Sequence, residues 1–281
     1  MGQNPTDEGS VNKALLIVLA IIMLLPVWFL ATGSLTDMRG IMTMPPRLLP
    51  LRPSLSNYGY FLTKPLGLWA ANTAVIALGT ALISVAVSCA TGYAFAFFTW
   101  PLKKWLWLLL LAGIMIPRMS VTIPQFVVMR KLGLLSTYHG LILSRTLSPM
   151  GMYLARAYFQ TVPRSLLDAA RIDGAGEFQI LARVVVPISR PIVTCLALFA
   201  GAGALGDYVW QSLVIRKDSL RTLILGLLQT VSDSNAGDLD LMLNPLGRQF
   251  AASMILLLPL LILFFVASKY WTSALGGAIK E

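Results

Sequence analysis

Histidine occurs once, at His139, cysteine twice, at Cys89 and Cys195, and the acids number only 12 in 281 residues. A single histidine with distant cysteines cannot assemble a tetrahedral zinc site. Both cysteines lie inside apolar runs, where a thiol behaves as a small hydrophobe, so no disulfide framework follows and no compartment can be read from them. The P-loop pattern GxxxxGK[ST] does not occur, which excludes a chain that is itself such a nucleotide-driven motor. An integral membrane enzyme would need a nucleophile and base, or metal ligands, converging at an interface, and the scattered acids do not supply them. Charged residues make up 12% of the chain against 57% hydrophobic, too few for an ordinary soluble domain. The 22 Lys+Arg leave a net charge of +10, which in a soluble protein would raise nucleic acid as a partner. Here the excess reads as interfacial bases, and no nucleic acid is expected.

Long charge-free runs are what the chain has instead. A charge at bilayer depth costs at least about 2.5 kcal/mol, so gaps between charges measure spans. Clean gaps run from Lys13 to Asp37, Lys64 to Lys103 and Arg248 to Lys269. Three further stretches of spanning length carry one ionisable residue each: 105–129 with Arg118, 132–155 with Arg145, and 191–215 with Asp207. Together they predict an all-α integral membrane protein of six spanning helices over 14–268, with tails at 1–13 and 269–281. The first run is longer than a signal h-region and reads as a retained helix. Prolines 26, 117, 124, 149 and 259 are expected to kink spans without breaking them. Were the helices straight, with a rise of about 1.5 Å per residue, Arg118 would lie about 20 Å beyond Lys104, Asp207 about 25 Å beyond Arg190 and Arg145 about 16 Å from Arg156, making Arg145 the deepest charge. With the N-terminus inside, ten Lys and Arg fall inside and twelve elsewhere, so the positive-inside rule does not settle orientation. Trp105, Trp107, Trp210 and Trp271 are expected in interfacial belts, Met115, Met119, Met129, Met150 and Met152 in packing, and Gly201, Gly203 and Gly206 at close helix contacts.

Between the fourth and fifth spans lies VPRSLLDAARIDGAGEFQILARVVVPIS, a polar connection that reads as helix, break, helix. Pro163 suits a first turn, LLDAARI a short helix, Gly174 a left-handed cap, and Pro187 the approach to the next membrane entry. Asp168 and Arg171, at i and i+3, share a face.

These residues resemble the cytoplasmic signature of the maltose-type membrane subunits of binding-protein-dependent ABC importers: Glu-Ala-Ala, three residues, Gly, nine residues, then Ile-x-Leu-Pro. Asp168-Ala169-Ala170, Gly174 and Val184-Val185-Val186-Pro187 keep every spacing. The similarity extends through Tyr93-Ala94-Phe95-Ala96, Met115-Ile116-Pro117, Gly140-Leu141-Ile142-Leu143 and the tail TSALGGAIKE. Gly206-Asp207-Tyr208 departs from the Trp-Asn-Glu frequent in the family's fifth helix. The resemblance implies a non-catalytic permease subunit in a bacterial inner membrane, both termini cytoplasmic, with a coupling loop at 163–190. Asp168, Ala169, Ala170, Arg171, Asp173, Gly174 and Pro187 would form its ATPase-coupling site. It implies no cofactor in this chain, ATP and Mg being bound by two partner ATPase subunits. A homologous second permease, an extracytoplasmic solute-binding protein, membrane lipid and a sugar or oligosaccharide complete the expected partners.

Arg145 is the first candidate for the translocation path, with Arg118, Asp207 and Tyr208 behind it; a purely structural Arg145, paired to hold helices together, is the alternative. Arg39, Arg47, Arg52 and Lys64 face only Asp37 in the first external loop, and Arg118, Arg130, Lys131 and Arg145 flank spans three and four. Such a field would steer a polyanionic saccharide, or meet lipid phosphates or an acidic binding protein. An ion-coupled secondary transporter is the other functional reading; Asp207 is the lone acid near a helix interior, and no repeat is visible.

Overall fold

The computed structural model describes residues 5–41, 43, 49–237 and 244–278. Arg47, Lys280 and the ends of both tails lie outside them, as do the side chains of Arg39, Lys269 and Trp271. The described residues are helical throughout, with no strand among them. In chain order come α1 (Pro5–Ser34), α2 (Met38–Ile41), α3 (Ser56–Leu62), α4 (Leu66–Phe97), α5 (Lys103–Met115), α6 (Arg118–Lys131), α7 (Tyr138–Thr146) and α8 (Pro149–Phe159). Then follow α9 (Arg164–Ile172), α10 (Glu177–Ile180), a π turn (Leu181–Val185), α11 (Val186–Ile188), α12 (Arg190–Leu205), α13 (Tyr208–Val214), α14 (Leu223–Gly237) and α15 (Pro245–Ala278). Two compact units result, Met1–Leu66 with Gly226–Leu258, and Gly67–Leu225 with Pro259–Glu281.

In the first unit, α1 leaves Leu15 to Leu25 exposed along its length, apolar surface that suits lipid. Its C-terminal end is where it is tied down. Asn57 donates to the carbonyls of Ser34 (2.8 Å) and Thr36 (3.2 Å), Asn244 also donates to Thr36 (2.7 Å), and the Phe250 ring occupies the space a side chain at Gly33 would need.

The second unit is organised by α4. Its Asn72 amide donates to the carbonyls of Ser219 (2.9 Å) and Arg221 (2.8 Å) and accepts from the Tyr138 hydroxyl (2.6 Å), while Thr73 accepts from Leu223 N (2.8 Å). A buried amide this fully partnered fixes the turn before α14 against the helix. Lower down, α4 meets α8 through small residues: a Cβ on Gly92 would stand 2.6 Å from Ala155 Cβ and 2.8 Å from Arg156 N, and one on Gly151 would stand 2.8 Å from Ser88 Oγ. These contacts are far closer than those of the α12 glycines. An added Cβ at Gly203 would meet nothing within 4 Å, and those at Gly201 and Gly206 make ordinary contacts at 3.4 Å and 3.6 Å.

α1 from Leu15, α4 and α15 to Val266 are long and apolar enough to cross a membrane, and two bent pairs also qualify if each is one span. The expected straight helix over 105–129 is instead α5 and α6 at 104°. Pro117 has no N–H, and it drives Ile116 into extended backbone (ψ 119°). The expected span 132–155 starts only at Tyr138 and is interrupted at Leu147–Ser148, ahead of Pro149 at the start of α8. The span 191–215 breaks at Gly206–Asp207. Met129 and Met152 are buried as expected, whereas Met115, Met119 and Met150 are exposed. Gly92→Ala is expected to lower the thermal stability of the detergent-solubilised subunit by about 1–3 kcal/mol, the usual cost of overpacking. Gly203→Ala should leave it unchanged, and equal melting of the two variants would contradict the packing described.

Candidate functional site: the 163–190 loop and an arginine-lined cavity

The loop folds as its sequence suggests. Pro163 (φ −59°) precedes α9, and Gly174 takes φ +81°, a conformation a β-branched residue resists. Ala175 N donates to Ala170 O and Gly174 N to Arg171 O, both at 3.0 Å, the paired bonds of a Schellman ending. α9 buries Leu167, and Ala170 packs on the same cluster, built from Cys89, Tyr93, Ala155, Phe159, Ile180 and Val185. Before Pro187, which cannot donate to Arg183 O, the chain widens into the π turn, with Val186 N donating to Leu181 O. A 90° bend at Ser189 then starts α12.

A polar chain binds this loop to α4. Arg171 donates to Asp168 Oδ1 and, through Nε, to Glu177 Oε1, each at 2.9 Å. The Tyr93 hydroxyl of α4 donates to the other oxygen, Glu177 Oε2, at 2.5 Å. Sequence reasoning placed Asp168 and Arg171 on one face but assigned nothing to Glu177 or Tyr93; at 84 positions apart they carry no local signal. Asp173 and Ala169 are exposed, and Pro187 is half-buried. Alongside them Ile172 (87% exposed) and Phe178 (81%) present the most exposed large apolar side chains of the loop.

The path candidates separate into two groups. Arg118 and Arg145 line one cavity of about 300 Å³, formed with Ser84 and Ser88 of α4, Ser148 ahead of α8, and Phe199 of α12. Asp207 sits behind it, pairing with Arg145 (Nε to Oδ2 2.5 Å, side chains 9% and 12% exposed) and accepting from Trp210 N at 3.4 Å as the cap of α13. Tyr208 does not line the cavity. Arg145 also lies over the Trp210 ring (4.8 Å) and donates to Gln125 Oε1 (3.4 Å). Trp210 is buried in an apolar cluster with Ile76, Met129, Leu141 and Val214, while Trp107 packs with Phe95 and Tyr153 under the Arg156 guanidinium. Asp207 also offsets one base of the field described above, which sequence distance had concealed.

Glu177 opens α10 within the 163–190 loop, and Arg171 first, then the Tyr93 hydroxyl, hold its carboxyl below the usual range. A depressed carboxylate stabilises the fold above its unfolded pKa of about 4.3 and loses that contribution as pH falls through the lowered folded value. Hydrogen exchange over 164–180 is expected to speed up in the native protein only below that ordinary range. Glu177→Gln should exchange faster than the native protein at pH 7 and lack this acid step; identical profiles would contradict the link.

The family model described as "Binding-protein-dependent transport system inner membrane component" matches residues 83–273. The arabinooligosaccharides transport system permease protein AraQ of Halalkalibacterium halodurans is 30% identical over 235 residues, covering 82% of this chain and 81% of the relative. The sn-glycerol-3-phosphate transport system permease protein UgpE of Brucella abortus is 25% identical, covering 97% of each. A solved structure, described as a bacterial ABC transporter involved in the import of the acidic polysaccharide alginate, shares the fold with TM-score 0.80 at 23% identity, over 96% of this chain and 99% of that one. The matched residues include α9 and its cap, α12 and the Arg145–Asp207 pair, so this chain belongs to the inner membrane components of binding-protein-dependent transport systems, the non-catalytic permease subunits of ABC importers.

Proposed function

We propose that the chain is one of two pore-forming permease subunits of an ATP-driven importer for an oligosaccharide, delivered by an extracytoplasmic solute-binding protein. It crosses the inner membrane six times with both termini cytoplasmic, beside a homologous second permease. Two ATPase subunits bind the ATP and Mg that drive it. The 163–190 loop seats in one of them, with Ile172 and Phe178 as its apolar contacts.

The observation that carries this reading is the build of the loop. A nucleotide-driven partner outside the bilayer moves a bundle only through a part that does not yield. α9 is short, closed by Gly174, anchored by Leu167 and tied through Glu177 to α4. Force on Ile172 and Phe178 thus reaches a long spanning helix as well as α12, to which the loop is joined in sequence. An oligosaccharide cargo is supported by AraQ, while UgpE, whose printed cargo is a glycerol phosphate, extends the class to other polyhydroxylated solutes. Ion coupling has no support here, since Asp207, the most enclosed acid among the described residues, is committed to Arg145.

In the complex reconstituted in liposomes, a Walker-lysine substitution in the ATPase partner should abolish saccharide uptake. Uptake that persists on an ion gradient would reject the ATP-driven reading. Gly174→Val should assemble and hydrolyse ATP yet transport roughly tenfold less, because left-handed backbone costs an L-residue about 1–2 kcal/mol and the helix end must move. The space around Gly174 is open, so any effect comes from its φ and not from a clash. Undiminished transport in Gly174→Val would contradict the coupling role.

A further inference from the structure

The arginine-lined cavity has a composition that a neutral sugar does not satisfy. Ser84, Ser88 and Ser148 place three hydroxyls on its wall, and Ser88 Oγ is fully buried without a hydrogen-bond partner. Phe199, 66% exposed, offers an aromatic face, which suits the apolar face of a pyranose ring. Charge distinguishes this cavity from a plain sugar pocket. Arg145 is offset by Asp207, but Arg118 makes no ion pair among the described residues and lines the same space. The bend at Pro117 sets Arg118 at the first position of α6, beside Arg145, although 27 positions separate the two. A neutral ligand closing over it would bury its charge uncompensated, whereas a carboxylate would accept its planar fork in a bidentate pair.

We propose that this cavity is a subsite for one anionic sugar unit, its carboxylate on Arg118 and its hydroxyls toward Ser84 and Ser148. The Arg145–Asp207 pair is a positioning element, holding the second guanidinium at the rim without adding net charge. The proposal rests on the reading of the chain as a saccharide permease and narrows the cargo from saccharides in general to acidic ones. A sugar phosphate presents related anion chemistry, so the test separates the two.

The complete complex is placed in nanodiscs of uncharged lipid, which removes anionic headgroups as competitors, with Met150→Cys reporting on the cavity that Met150 lines. Reaction with an anionic and a cationic thiosulfonate of similar size is timed, after subtracting the parent complex, which carries Cys89 and Cys195. The anionic reagent should react about tenfold faster, a preference lost in Arg118→Gln, kept in Arg118→Lys and weakened as salt shortens the Debye length. A saturating uronate trisaccharide should slow the reaction more than a neutral trisaccharide of matched length or a sugar phosphate. Ser84→Cys serves in the same way if Met150→Cys does not assemble. Equal protection by the neutral trisaccharide, stronger protection by the sugar phosphate, no charge preference, or no reaction at either cysteine would each overturn the acidic subsite. None of these would touch the importer reading, which falls only if ATP-driven uptake of every saccharide class fails in the native complex.

Discussion

One carboxylate ties the 163–190 loop of this protein to α4. Glu177 accepts from Arg171 on one oxygen and from Tyr93 on the other, so the loop between α8 and α12 and the end of α4 share a single anchor. The apolar cluster beneath it, from Cys89 to Leu196, supplies burial, but burial is non-directional and would tolerate sliding of α9 over its neighbours. Charge-assisted hydrogen bonds have direction, and four of them meet at Arg171 and Glu177. The Schellman ending at Gly174 and the π turn before Pro187 then fix where the chain leaves this anchor on each side.

The second constraint is the backbone's need for partners where water is scarce. Helices meet it, and prolines decide where the helices fail. At Ile116–Pro117 and Leu147–Ser148 the chain breaks where only a kink was expected, at Ser189 it turns out of the loop into α12, and these turns assemble the cavity. A straight third span would have carried Arg118 away from Arg145. The bends bring them together, with Asp207 reaching Arg145 from the break between α12 and α13. Such a buried pair gains little net stability over a well-packed apolar contact, yet losing one partner strands the other charge, which makes the geometry around it specific.

What the sequence carried legibly was local. The Asp168–Arg171 face, the left-handed Gly174 and the short helix between them follow from spacing and residue type within one turn or two. The role of Glu177 was invisible because its second partner, Tyr93, lies on another helix 84 positions away. Trp210 reads as an interfacial residue by type and is buried because residues distant in sequence, among them Ile76, Met129 and Leu141, close around it. The straight-helix ruler failed for Arg118 because composition records how apolar a run is and not whether a proline turns it. Glycine was misread for the same reason: Gly92 and Gly151, not the α12 glycines, make close contacts where α4 and α8 meet, and only the tertiary arrangement says so.

The central claim is that the loop and the end of α4 move as one body. It is tested most directly by spin labels at the exposed positions Thr99, just past α4, and Ala182, in the loop, with their separation measured in the intact complex without nucleotide and trapped with ATP. A rigid link leaves the distance distribution unchanged while the loop moves relative to other helices. A shift of several ångström between the two states, with the complex intact, would contradict it.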